Sequence, residues 1–285
     1  MGVKGLLSTC LQRQDECTEL FDLVEAARQE NGIELLVDFY AFEHQILSSF
    51  WKSLSLLHGN DFLRLLGGEY SSLDAYLTKF IEDLKSLDIH LVFYIDGAKG
   101  SSNEALRQKL DTWIKRHEDD VQKLSQILEV LWNQRNITDL PVDVNIRPVV
   151  LEDQVMACLC KCNCEIHQSP AGEADLHLAR ALQERLKAFA VLSSDSDFCV
   201  FKGCRMIPQQ LFDLENDLQL GEAKELPEKP LRLMVKVIES EKVMSMLQVC
   251  FGYTVKTIQL VSLQTHCILK QLLRLCVKSF SHLFS

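Results

Sequence analysis

Three short apolar runs, each ending in aspartate, set the strongest limit on what this chain can fold into. Ile33-Glu34-Leu35-Leu36-Val37 runs into Asp38, and His90-Leu91-Val92-Phe93-Tyr94-Ile95 runs into Asp96. Ala188 to Leu192 leads through Ser193-Ser194 to Asp195-Ser196-Asp197, and a second apolar run, Phe198 to Phe201, follows at once. Unbroken apolar runs of this length read as strands covered on both faces, as in a parallel sheet. A parallel sheet brings the carboxyl ends of its strands to one edge, where open α/β folds bind ligands. The pattern therefore predicts an α/β fold with a mainly parallel central sheet flanked by helices, and an acidic cleft along one edge of it.

The segments between the runs read as helices. Phe39 to Leu57 carries a broad apolar face, and Leu65-Leu66-Gly67-Gly68 marks a turn. Ser71 or Ser72 caps a helix whose Leu73, Leu77, Phe80, Ile81 and Leu84 keep the helical period. Ser101 to Gln134 reads as one or two long helices with Arg107, Lys109, Lys115 and Arg116 in its first half. Pro141 to Val150 reads as extended loop, Glu152 to Lys161 as helix and Asn163 to His167 as a short strand. Ser169-Pro170 has the form of a helix start, an N-cap followed by proline at the first helical position. That helix is expected to run through Glu173 and Asp175 towards Leu186. A short helix is expected after Pro208. Residues 219–230 form a polar, proline-containing linker, and 231–285 a partly helical tail with no acidic residue after Glu241. The expected division is one α/β domain over 1–218, the linker, then the tail.

Six carboxylates, Asp38, Asp96, Glu173, Asp175, Asp195 and Asp197, thus stand at strand ends or in the first turn of a helix. One aspartate after a strand is most often a turn former, and an acidic residue at a helix start often answers the helix dipole. The joint pattern is what points to chemistry. Six like charges sharing a site need cations. Two divalent ions about 3.5–4 Å apart suit attack of water on a phosphodiester. The Asp195/Asp197 pair does not continue as an EF-hand, since Cys199 takes the third ligand position. The alternating Cys158, Cys160, Cys162 and Cys164 lack zinc-site spacing and read as free thiols.

Composition narrows the class further. The formal net charge of −10 excludes a protein that coats nucleic acid through a basic surface, while metal-binding carboxylates are compatible with it. Eleven cysteines, an odd number, with no secretory leader expected at the N-terminus, point to free thiols in a reducing compartment. No run of 18 apolar residues occurs, so no membrane helix is expected. Leu6 stands where a myristoylation signal wants Ser or Thr.

Met1-Gly2-Val3-Lys4-Gly5-Leu6, Val37-Asp38, Ile95-Asp96-Gly97, Glu173-Ala174-Asp175 and Ser194-Asp195-Ser196-Asp197 together resemble the signature of the flap-endonuclease superfamily. Leu192 to Phe201, with Gly67-Gly68-Glu69-Tyr70, is most similar to its asteroid homologue branch. The resemblance covers roughly residues 1 to 215. It implies a PIN-like, three-layer nuclease fold and Mg²⁺- or Mn²⁺-dependent endonuclease activity with two ions. It implies single-stranded, overhang or flap DNA as the partner, with RNA as an alternative, and a nuclear role in DNA repair. By position, Asp38, Asp96, Glu173, Asp175, Asp195 and Asp197 take the metal-binding roles, and Gly2 lies beside the active site. The superfamily clamps the scissile phosphate with basic residues after the second strand; Lys99, Arg107 and Lys109 are the candidates. A further metal-site aspartate and a helical DNA-binding region, expected beyond residue 215, have no counterpart here. That departure sustains a rival reading: a nuclease-like scaffold that binds nucleic acid or protein without cutting.

Overall fold

The computed structural model describes residues 5–58, 63, 68–97, 103–133, 140, 144, 146, 148, 150–170, 172, 174–212 and 232–251. The chain divides into two compact units. The first comprises Met1–Ala41, Asp83–Tyr94 and Asp175–Ser285, the second Phe42–Glu82 and Ile95–Ala174.

Among the described residues, the first unit holds six of seven strands. They are β1 (Thr18–Asp22), β2 (Ile33–Asp38), β3 (Ile89–Ile95, as far as Tyr94), β5 (Ala188–Ser193), β6 (Arg205–Pro208) and β7 (Met234–Glu239), in the spatial order β1-β7-β6-β5-β2-β3. The pairs β2·β3, β2·β5 and β5·β6 are parallel, while β7 runs antiparallel to both β6 and β1. Leu35, Leu36, Val37, Val92, Phe93, Ala190, Val191 and Leu192 are buried, which is why these three strands are nearly continuous in apolar residues. The expected α/β class and parallel centre are what the chain forms.

Strand register fixes the edge that matters. Val37 lies opposite Phe93 on one side and Leu192 on the other, and Asp38 opposite Tyr94. Ser193 lies opposite Pro208. The last residues of the four parallel strands therefore stand in one row.

Helix α1 (Leu6–Gln12) follows Gly5, whose φ of 83° is the left-handed conformation that glycine takes without strain. After it come α2 (Gln14–Cys17) and α3 (Leu23–Glu30). Asp22, the last residue of β1, caps α3: its carboxylate accepts from the Val24 amide at 3.1 Å and the Glu25 amide at 3.4 Å. The same oxygen accepts from the Leu233 amide at 3.2 Å, so one side chain ties the start of α3 to the residue before β7. A second tie is bidentate: Arg185 donates to Glu34 at 2.6 and 3.0 Å, holding the approach to β5 against the start of β2.

Strands β1 and β6 and the strand character of 234–239 do not stand out in the sequence. All three are short, and β1 carries Glu19 and Asp22 among its five residues. Strand β7 lies between β1 and β6; Met234 and Lys236 are exposed and Val235 and Val237 buried in alternation, and Ile238 is buried as well. Helix α9 (Ser240–Phe251) follows and buries Val243, Met246 and Leu247. The segment read as a tail thus begins with an internal strand of the sheet; the linker, 219–230, and residues 252–285 lie outside the described residues. The apolar run Phe198 to Phe201 is not a strand. A 3-10 turn occupies Ser196–Cys199 and buries Phe198 and Cys199 within the unit.

The second unit contains the body of α4 (Phe39–His58), most of α5 (Tyr70–Ser86), α6 (Asn103–Trp132), α7 (Leu151–Lys161) and β4 (Glu165–Gln168). Its core is aromatic: Phe50 packs on Tyr76 at 5.1 Å between ring centres, and Phe42 on Phe80 at 6.0 Å. The Trp51 indole donates to the Gly68 carbonyl at 2.8 Å. Asp74 on α5 holds α7, accepting from Gln154 at 2.7 Å.

The helix expected from Ser169-Pro170 begins instead at Asp175, as α8 (Asp175–Glu184). Gly172 has φ 70°, a left-handed conformation that cannot lie inside a right-handed helix. The Ser169 amide donates to the Ile95 carbonyl and the Gly97 amide to the Gly172 carbonyl, so the segment is engaged as extended chain.

Asp22→Ala removes the cap and leaves three amides to find other partners. It is expected to lower unfolding stability by about 1–2 kcal/mol, and Asp22→Asn, which keeps an acceptor oxygen, by less. Urea unfolding midpoints of the two variants test this order.

Candidate metal site

Asp175, Asp195 and Asp197 form the acidic centre of the first unit. One carboxylate oxygen from each lies within 4.8 Å of the other two. Asp175 is the first residue of α8. Asp195 follows β5 and caps the 3-10 turn, its carboxylate accepting from the Asp197 amide at 2.9 Å. Asp197 is fully buried, and Asp175 and Asp195 are half-buried.

The donor set decides what such a centre can hold. Three ionised carboxylates this close repel one another by about 3 kcal/mol per pair at an effective dielectric of ~20. A cation removes that penalty. Oxygen-only donors suit a hard divalent ion, Mg²⁺ or Mn²⁺, and not a thiophilic one. The residues therefore fit the ion that the sequence pattern implies.

Asp38 reaches this centre through a relay rather than as a fourth member of the cluster. Its carboxylate accepts from the Ser193 hydroxyl at 2.8 Å and from the Ala41 amide at 3.3 Å. The Ser193 hydroxyl oxygen in turn accepts from the Asp195 amide at 3.0 Å. Ser193 is fully buried, so it fixes the Asp38 side chain relative to the turn that carries Asp195 and Asp197. The sequence reading passed over Ser193. Its signal was a hydroxyl closing an otherwise apolar strand beside an aspartate pair.

Asp96 belongs to the second unit, where its carboxylate accepts from the Ala174 amide at 2.8 Å. Arg107 is exposed on α6. Lys109 lies on the same helix, but its side chain is outside the described residues, as are Gly2, Lys99 and Glu173 altogether. His177, two residues into α8 from Asp175, packs edge-on against the Tyr94 ring at 5.0 Å.

The turn bearing Asp195 and Asp197 packs through Cys199 against buried sulfur. Cys10 on α1, Cys17 at the end of α2 and Cys199 on the turn are all fully buried. The Cys17 thiol lies 3.3 Å from the Met246 thioether of α9. For the Cys17 thiol, the hydrogen bond with Cys10 and then burial push the pKa well above the ordinary thiol range. The Cys10 thiol is also raised: its bond with Cys17 lowers it, but its bond with Cys199 and burial outweigh that. Burial pushes the Cys204 thiol up to about 12.

No protein-family model matches the chain, and no curated protein matches it. Among solved structures, human GEN1 in complex with Holliday junction DNA aligns over 93% of this chain and 50% of that one, with 14% identity and a TM-score of 0.43. A eukaryotic junction-resolving enzyme, GEN-1 binding with cesium, aligns over 87% of this chain and 44% of that one, with 17% identity and a TM-score of 0.40. The chain spans about half the length of these structural neighbours.

Thiolate is the nucleophile towards alkylating agents, so a raised pKa and burial both protect a thiol. Cys10, Cys17 and Cys204 are expected to resist iodoacetamide at neutral pH in the folded protein, while Cys160, exposed, reacts first among the described cysteines. Mass spectrometry of partially alkylated protein reads the order directly, and denaturant should abolish the difference.

Proposed function

We propose that this chain is a metal-dependent endonuclease of the asteroid type within the flap-endonuclease superfamily, with a PIN-like fold. The observation that carries the reading is the convergence of Asp175, Asp195 and Asp197 within 4.8 Å beside a parallel strand end. The motif resemblance described above supplies the class of reaction, hydrolysis of a phosphodiester in single-stranded, overhang or flap DNA during repair in the nucleus.

Asp175, Asp195 and Asp197 would hold Mg²⁺ or Mn²⁺, which when bound supplies Lewis-acid stabilisation and a water of lowered pKa. Asp38, Asp96 and Glu173 are the remaining carboxylates to which the motif resemblance gives metal-binding roles. The chain's own contribution is preorganisation. The Asp195 carboxylate shapes the turn by accepting the Asp197 amide. Ser193 keeps the Asp38 carboxylate turned towards the end of β5. In the second unit the Asp96 carboxylate fixes Ala174, the residue that precedes Asp175. Arg107, Lys99 and Lys109 are the residues for holding the phosphate, as point charges or, for Arg107, a planar fork.

The decisive experiment incubates purified protein with labelled single-stranded, flap and duplex DNA in Mg²⁺ or Mn²⁺. Cleavage is expected on the first two substrates and is lost with a chelator. Asp195→Asn/Asp197→Asn should reduce the rate at least about 100-fold, and Ser193→Ala about 10-fold or more through misplacement of Asp38. A wild-type protein that cuts nothing, or a double variant that cuts equally well, refutes the proposal.

A further inference from the structure

Four cysteines alternate at the end of α7, and the fold sorts them into two kinds. The Cys162 amide donates to the Cys158 carbonyl at 3.0 Å, so these two stand one helical turn apart on one face. Cys160 is exposed, and Asn163, with φ 53°, ends the helix before Cys164. The face that Cys158 and Cys162 share is turned to α5, within the second unit. The Cys158 sulfur lies 3.7 Å from the Thr78 hydroxyl oxygen, and its thiol donates to the Asp74 carbonyl at 3.7 Å. The Cys162 thiol donates to the same Thr78 oxygen at 3.8 Å. The two sulfurs are also hydrogen-bonded to each other.

Their surroundings give the two thiols different parts in a reaction. Cys162 is half-buried and reachable from solution, while Cys158 is buried. Burial raises the Cys158 thiol above the ordinary thiol range, against the Thr78 hydrogen bond, which lowers it. A buried, protonated thiol is a poor nucleophile towards reagents in water. As a second partner it needs only to reach a sulfur already beside it. By helix geometry the two Cα atoms are about 6 Å apart, inside the ~4.4–6.8 Å that disulfides span. Cys162 is the last capping residue of α7, so no later turn of helix resists the shift that closes such a bond.

We propose that Cys158 and Cys162 form a reversible oxidation site, closing to a disulfide when hydrogen peroxide oxidises Cys162. The Cys162 thiolate attacks one peroxide oxygen: an S–O bond forms, the O–O bond breaks, and the departing hydroxide takes up the proton that the thiol released. The Cys158 sulfur then attacks the sulfur of this sulfenic acid. The S–S bond forms, the S–O bond breaks, and hydroxide leaves with the Cys158 proton as water. Two thiols and one peroxide give one disulfide and two waters, and a thiol reductant reverses the change. The oxidised pair has no S–H left to donate. Helix α7 then loses its sulfur bonds to the Asp74 carbonyl and to Thr78, and keeps the Gln154–Asp74 bond. The site is independent of the acidic centre.

The test uses the full chain carrying Cys160→Ser/Cys164→Ser, in which Cys158 and Cys162 are the only thiols of the segment. Circular dichroism verifies the fold. The reduced protein meets equimolar hydrogen peroxide, is alkylated in denaturant and is digested with trypsin, which cuts after Lys161, between the two cysteines. Mass spectrometry is expected to find the two tryptic peptides joined through Cys158 and Cys162, and dithiothreitol to part them. Fragmentation of the joined peptides from the wild-type chain should show the same pair, and peroxide added in denaturant should lose that preference. Amide hydrogen exchange over 151–162 should quicken on oxidation and recover on reduction. Thiols that both stay reduced, a Cys162 that passes to sulfinic acid beside a reduced Cys158, or a Cys158 joined to another cysteine overturns the proposal. Unchanged exchange with the bond formed overturns the release of α7.

Discussion

Parallel pairing of β2 with β5 is the constraint on which the candidate site depends. In that pairing Leu36 lies opposite Val191 and Val37 opposite Leu192, and Leu35, Leu36 and Val37 are all buried, on both faces of the sheet. The register sets Asp38 beside Ser193 and the turn that follows, and the relay from Asp38 through Ser193 to the Asp195 amide becomes possible. The Arg185–Glu34 pair clamps the other end of the same two strands.

The acidic cluster is costly to build and needs support. Asp197 is buried without exposure, on a turn only four residues long. Local hydrogen bonding shapes that turn, but burial of Phe198 and Cys199 seats it. Helices α1, α2 and α9 supply the seat through Cys10, Cys17 and Met246. This gives the segment after residue 230 a role in the site: β7 occupies a place inside the sheet, and α9 packs on the sulfur cluster that the turn meets through Cys199.

The sequence by itself determined the central strands and the identity of the acidic residues. Ile33–Val37, His90–Ile95 and Ala188–Leu192 were legible because strands covered on both faces must be apolar throughout. Helix α5 was legible from its apolar period, and α6 and α7 fall where helices were expected, at 101–134 and 152–161. Strands β1, β6 and β7 were not, because short or half-buried strands mix polar with apolar residues and acquire their identity only from their neighbours. The true start of α8 was hidden as well: Ser169-Pro170 has the local form of a helix start, and only the left-handed Gly172 with its bond to Gly97 excludes it. Which carboxylates meet was likewise settled by tertiary structure. Asp175, Asp195 and Asp197 converge because a helix start and a turn twenty residues away pack together, whereas Asp38 is held by Ser193. Sequence spacing shows where a carboxylate stands on its own element, and packing between elements decides how far its oxygens lie from the next.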